Sequence, residues 1–180
     1  MIYLQIEPLY VVSAEEVLWG GVLVAITMGI HGFGMLAVLR STNILKHGLG
    51  EKWGILSGII PVIYASCAIM VVHLIEVMVW GSFFLWKGAF SNRSLSFYFA
   101  LNEYTTVGSK YSLPQNWRLL EGMIAVSGLL AFAWSTGVLF TLAKEFQDQW
   151  ISVFKRHNKK EVPNLKSNKT GGRDQDSFNR

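Results

Sequence analysis

Two groups of residues in this 180-residue chain have types and spacing that could do chemistry. His73 and Glu76 stand three apart, so they share one face of a helix, and they interrupt a segment that is otherwise uncharged. An ionisable pair in apolar surroundings points to function, and a His-x-x-Glu pair is also a donor set for a metal ion. Two ligands do not close a metal site, so a buried polar contact between helices is the stronger reading. His31, flanked by Gly29, Gly32 and Gly34, invites a ligand role too. A histidine meeting a neighbouring helix where glycines allow close approach is the commoner case. The second group is YTTVGSKYSLP, residues 104–114, in which two threonines, a valine and a glycine are followed by Lys110. TTVG alone is a weak pattern, and its ordinary reading is a turn between apolar segments.

The elements around these residues are set by hydropathy. With 51% hydrophobic and only 16% charged residues, the chain is more apolar than a soluble domain of its size. Three blocks are long enough to cross a bilayer core, which takes about 18 or more uncharged residues. The first, Val17 to Leu39, has no charge; the second runs from near Trp53 to about Trp86, with Pro61 as a candidate kink; the third runs from Leu119 to Ala143, with Glu121 near its start. Between the second and third lies SFYFALNEYTTVG. As a helix its 13 residues reach only about 20 Å, so an element that enters and leaves on one side, sheltered by protein, fits better.

Charge then sets orientation. Residues 1–16 have no Lys or Arg, the first loop carries Arg40, Lys46 and Lys52, and nine basic residues follow from Lys144 onward. Basic loops stay cytoplasmic, which predicts an outside N-terminus and a cytoplasmic C-terminus in a multi-pass membrane protein. Lys87, Arg93, Lys110 and Arg118 run against that rule. The start of the chain lacks the positive n-region of a secretory signal, so the first block reads as a retained span. The tail after about His157 has few large apolar residues and reads as disordered, with anionic lipid as its partner in preference to nucleic acid. Cys67, the single cysteine, reads as a small buried hydrophobe. No nucleophile elbow, phosphate loop or cysteine-histidine cluster is present, so no enzyme and no cofactor is expected.

SFYFALNEYTTVG resembles the pore helix and filter of the potassium-channel superfamily. HLIEVMVWGSFFLWKGAF, NWRLLEGMIAVSGLL and FAWSTGVLF resemble small bacterial members of its pore-loop ion-channel family, and His73 and Glu76 resemble that family's own HxxE. The resemblance covers roughly residues 70–143. It implies an all-α membrane protein with three transmembrane helices and a re-entrant pore helix and filter-like loop between the second and third. It also implies a homotetramer in a bacterial inner membrane, because such a filter is a ring of carbonyls from four loops. Residues 1–52 would hold the N-terminal arm, first span and cytoplasmic loop, 53–146 the pore module, and 147–180 the basic tail. The pore helix would run from about Leu95 to Tyr104, and Gly128 and Gly137 in the inner helix would be candidate hinges.

The filter-like residues are Thr105, Thr106, Val107, Gly108, Ser109 and Lys110. The first four match the family motif; Thr106 would offer a hydroxyl and a carbonyl, and Val107 and Gly108 carbonyls. After Gly108 the family expects an aromatic, a glycine and usually an aspartate, whereas this chain has Ser109, Lys110 and Tyr111. Four lysines around one mouth would repel an arriving cation. Either Lys110 has moved out of a remodelled filter and is neutralised by Glu103 or another carboxylate, or the pore does not select potassium in the usual way. The second is preferred. The sequence therefore predicts a pore subunit passing potassium or another monovalent cation with altered or weak selectivity. The alternative is a non-conducting structural or regulatory subunit of a larger membrane complex that keeps the channel fold.

Overall fold

The computed structural model of the chain describes residues 10–49 and 56–170. Most of the N-terminal arm, the loop residues 50–55 with Lys52, and the last ten residues of the tail lie outside the described residues. The described chain is helical. α1 spans Ala14–Leu49, α2 Leu56–Trp86, α3 Arg93–Tyr104 and α4 Leu119–Thr170, with a 3-10 turn at Gln115–Trp117 before α4. Three of these helices are long and apolar enough to cross a membrane.

Each helix starts where local chemistry allows. At the head of α1, Glu16 N donates to Ser13 Oγ at 3.1 Å and Ser13 N donates to Glu16 Oε2 at 3.0 Å, a reciprocal capping box. The other oxygen of Glu16 accepts from the Tyr10 hydroxyl and from Leu119 N, so one buried carboxylate ties the start of α1 to the start of α4. Asn92 caps α3 by accepting from Ser94 N at 2.8 Å and Leu95 N at 3.4 Å. Leu113 N donates to Glu121 Oε1 at 2.6 Å and fixes the chain as it enters α4.

Two boundaries differ from the sequence reading. α1 continues ten residues past Leu39 and takes up the first part of the expected loop, including Arg40 and Lys46. α4 carries helical backbone to Thr170, beyond both residue 147 and His157 where composition points to a disordered tail. Lys, Glu and Gln bury no core, yet they are good helix formers, and no glycine occurs between Gly137 and Gly171. Pro61 sits inside α2. Cys67 is exposed, not buried as its apolar character suggests.

Packing gives the bundle its register. α1 and α2 are antiparallel, with Gly34 against Val72 at one level and Lys87 bound to Glu15 at another. α4 runs parallel to α1, from Gly20 beside Leu120 to the Lys46–Glu145 ion pair of 2.7 Å. α3 packs back along the last part of α2, from Ser96, whose Oγ donates to Gly81 O, to Tyr104, whose hydroxyl reaches Glu76, and Phe99 meets Phe84 edge-on. Two apolar clusters result. The larger, around Trp80, Phe84, Phe99, Leu120 and Ile124, lies at the α3 end; the smaller, around Met35, Ala65, Ile69 and Leu142, lies at the other. Large apolar side chains such as Phe33, Met70 and Phe140 remain on the outer faces, the surface that lipid would cover.

Candidate functional site

The site is built around the C-terminal end of α3. Thr105 closes the helix with its backbone N–H on Leu101 O at 3.0 Å and its hydroxyl on the same carbonyl at 2.8 Å. The next four N–H groups all turn back onto the helix end. Thr106 N donates to Glu103 O, Val107 N and Gly108 N to Asn102 O, and Ser109 N to Glu103 Oε1 at 2.9 Å. Among the described residues none of the carbonyls of Thr105, Thr106, Val107 and Gly108 accepts a hydrogen bond. Thr106 has φ 61° and Gly108 φ 79°. Glycine takes that left-handed backbone freely, whereas a β-branched threonine there is strained, and strain of this kind gathers at functional loops. Val107 is 75% exposed.

Glu103 is therefore the anchor of the loop and not the partner of Lys110. Burial raises its carboxyl above the ordinary range, the Ser109 N–H opposes that rise and Glu121 adds to it. The Lys110 ammonium instead lies 5.1 Å from the centre of the Tyr111 ring, a cation–π distance.

Tyr104 joins the loop to a buried polar ring. Its hydroxyl donates to Glu76 Oε2 and meets His73 Nδ1 at 2.9 Å. Glu76 Oε1 meets His31 Nδ1 at 2.9 Å. Ser135 Oγ closes the circuit, 3.3 Å from His31 Nε2 and 3.0 Å from His73 Nε2. All four helices contribute, and His31, Glu76 and Tyr104 are at most 1% exposed. Phe132 stacks on His73 at 4.5 Å, and Trp134 covers His31 at 5.5 Å. One side of the ring, with His73, Tyr104 and Ser135, opens on an apolar surface groove of about 350 Å³ lined by α2, α4 and the end of α3.

The geometry shows why this set was only half visible in the sequence. His73 and Glu76 do share a face, but their partner is His31, 45 residues from Glu76. Tyr104 and Ser135 were missed because neither carries a charge; the one available signal for Ser135 was a hydroxyl pair, Ser135 and Thr136, inside an apolar span. The donor atoms of His31, His73 and Glu76 lie within 4.8 Å of one another. Each already has a hydrogen-bond partner, and an ion would have to break the Glu76 contacts to reach its ligand distance of about 2.1 Å. The arrangement is complete as a polar ring.

Gly128 has a different place from a hinge in open helix. A Cβ there would overlap the Tyr104 carbonyl oxygen and come within 2.9 Å of its carbon, so this glycine is where the backbone of α3 rests on α4. Gly137 meets nothing. Trp117, at the head of α4, packs with Trp19 and Trp86 around Lys87, whose ammonium lies 4.6 to 5.0 Å from the three ring centres.

Comparison with family models, curated proteins and solved structures finds no match to this chain.

Proposed function

We propose that the chain is one subunit of an oligomeric, potassium-channel-like cation pore, with residues 105–108 as the loop that faces permeating ions. The observation that carries this reading is the loop's division of its backbone: four consecutive N–H groups bonded inward and four carbonyls left without a partner among the described residues. Carbonyls so presented are the ligands that replace a monovalent cation's hydration shell. The C-terminal end of α3 adds the negative end of a helix dipole at the same place.

Depth in the membrane supports a re-entrant placement of α3. Tyr104 rests on Gly128, nine residues into α4 and so about 13 Å along that helix, and the chain then returns to the start of α4 at Leu119. One chain supplies one such loop, and enclosing an ion takes several; four is the number the filter-like motif implies. Arg40, Lys46 and Lys144 lie at the end of the bundle opposite α3, which favours an outside loop and a cytoplasmic C-terminus in the cell membrane. Ser109 and Lys110 in place of an aromatic and a glycine make weak selectivity the expectation.

The test is ion flux into liposomes holding the purified assembly, comparing potassium with sodium for the wild type and for a Ser109→Tyr, Lys110→Gly double variant. The wild type should pass both ions, and the variant should favour potassium more strongly. A silent wild type beside a conducting variant would establish the non-conducting subunit instead, and silence from both would sink the pore reading.

A further inference from the structure

Along the chain His73 and Glu76 are two metal donors without closure. The fold brings the others. His31 arrives from α1 and Tyr104 from the end of α3, so that the ligating atoms of His31, His73 and Glu76 lie within 4.8 Å of one another and the Tyr104 oxygen joins them. Glu76 Oε1 is 2.9 Å from His31 Nδ1, Tyr104 Oη is 2.9 Å from His73 Nδ1, and Glu76 Oε2 is 4.0 Å from that same nitrogen. Around a tetrahedral ion with bonds of about 2.1 Å, neighbouring ligand atoms stand about 3.4 Å apart. The contacts within the set straddle that spacing.

Ser135 decides which atoms face inward. Its Oγ lies 3.3 Å from His31 Nε2 and 3.0 Å from His73 Nε2, and a hydroxyl oxygen has two lone pairs, so it can accept an N–H from each ring. Both imidazoles are then Nε2–H tautomers, each held through its outer nitrogen as metal-ligating histidines are, and both Nδ1 lone pairs face Glu76 and Tyr104. In that arrangement His31 Nδ1 and an ionised Glu76 are two acceptors 2.9 Å apart with no proton between them. A cation joins such a pair where a hydrogen bond does not.

We propose that His31 Nδ1, His73 Nδ1, a Glu76 carboxylate oxygen and Tyr104 Oη form a buried site for a divalent transition-metal ion, with Ser135 orienting both imidazoles. A four-coordinate set of imidazole nitrogen and oxygen suits zinc. The Glu76 carboxylate balances one of its two charges and Tyr104, bound as phenolate with its proton released, balances the other. The closed set is neutral, which a water-poor interior favours. On entering, the ion replaces the His31–Glu76 and Tyr104–Glu76 hydrogen bonds with bonds to itself, so the polar ring is the ion-free form of the same site. Phe132 on His73 and Trp134 on His31 shield its flanks, and the groove reaches its edge at His73 and Tyr104. An ion so held ties α1, α2 and α3 together and fixes the residue that leads into 105–108. The inference stands apart from conduction, since it concerns what the folded chain binds.

The test uses the full, untagged chain carrying Cys67→Ser, which removes the lone thiol as a competing ligand. It is purified in detergent, stripped with a chelator and titrated with zinc chloride at about pH 7.5, with bound zinc read by elemental analysis and stability by thermal unfolding. One zinc per chain is expected. At free zinc about 100 times the dissociation constant the folding constant should rise about 100-fold, and EDTA should reverse the rise. Glu76→Gln keeps the side chain's size but loses the charged ligand and should abolish the effect. Ser135→Ala, which touches no ion, should weaken zinc binding by about 10- to 100-fold. His47→Gln, on the exposed end of α1, should change nothing. Zinc that binds equally to Glu76→Gln, or that is lost with His47→Gln, overturns the proposal as an adventitious ion only, and so does a midpoint indifferent to both zinc and EDTA. Should the ligand variants not fold, imidazole nitrogen spectra of the wild type supply the readout. Zinc must then shift Nδ1 of both His31 and His73 while both Nε2 stay protonated, and unmoved Nδ1 signals overturn the site.

Discussion

Replacing Gly128 with alanine tests how the loop is held. The new Cβ would overlap the Tyr104 carbonyl oxygen and lie 2.9 Å from its carbon, where ordinary carbon contacts begin at about 3.5 Å. The end of α3 must therefore retreat by about 0.6 Å or more. Tyr104 Oη, now 2.9 Å from His73 Nδ1, would move out of good hydrogen-bond range, and its bond to Glu76 would go with it. Overpacking costs about 1 to 3 kcal/mol, and leaving a buried polar partner unsatisfied costs about 1 to 3 kcal/mol more. A total near 2 kcal/mol or above lowers the thermal midpoint of a protein this size by at least about 4 °C. Because the damage passes through the Tyr104 hydroxyl, Gly128→Ala and Tyr104→Phe should cost less together than the sum of their separate effects. Gly137→Ala, whose Cβ meets nothing, is the control and should be neutral or stabilising by up to about 1 kcal/mol. A Gly128→Ala protein as stable as the wild type, or strict additivity with Tyr104→Phe, would refute the reasoning.

Three further outcomes follow from single residues. Thr106→Gly relieves a β-branched residue at φ 61°, a strain of about 1 to 2 kcal/mol set against roughly 0.5 to 1 kcal/mol of added chain entropy; thermal unfolding should show equal or slightly higher stability, and a clear loss would contradict the strain argument. Glu103 has its carboxyl raised by burial, so its contribution is full below the ordinary carboxylate value and is lost as pH rises through the folded one. Glu103→Gln should accordingly stabilise the protein at neutral pH while keeping an acceptor for Ser109 N, and a lower midpoint at pH 7.5 than at pH 4.5 relative to wild type would count against it. Lys87→Met removes the ammonium from three tryptophan rings and from Glu15; a loss of about 1 kcal/mol is expected, checked by unfolding followed through tryptophan fluorescence.

The long helices were legible because their cause is local: a run of uncharged residues needs no partner to be recognised. The short helix was nearly so, since its apolar run and the Thr-Thr-Val-Gly sequence at its end are contiguous, and its observed span, Arg93–Tyr104, differs from the expected one by two residues at the start. The ring was not, for a reason of register. Glu76 meets His31 only because α1 and α2 run antiparallel with Gly34 against Val72, and no spacing along the chain encodes that pairing. Nor could the sequence separate Gly128, pressed against a backbone carbonyl, from Gly122 and Gly137, which meet nothing. Charge at Lys110 was readable, but its seat over Tyr111 was not, and with Glu103 committed to Ser109 the neutralising Glu103–Lys110 pair, the less favoured of the two readings of the sequence, does not form.

Tyr104 is where these separate readings meet. Its side chain completes the ring, its carbonyl rests on Gly128, and its successor Thr105 begins the loop. A change in the ring's hydrogen bonds and a change in the α3–α4 contact therefore both act on the residue that leads into 105–108. It follows that Tyr104→Phe, which cuts the hydroxyl but leaves the carbonyl seated, should lower the thermal midpoint through the lost contacts to Glu76 and His73 while the α3–α4 contact persists, whereas Gly128→Ala should disturb both. The difference between those two variants separates a loop held by packing from one held by the buried hydrogen bonds of Tyr104.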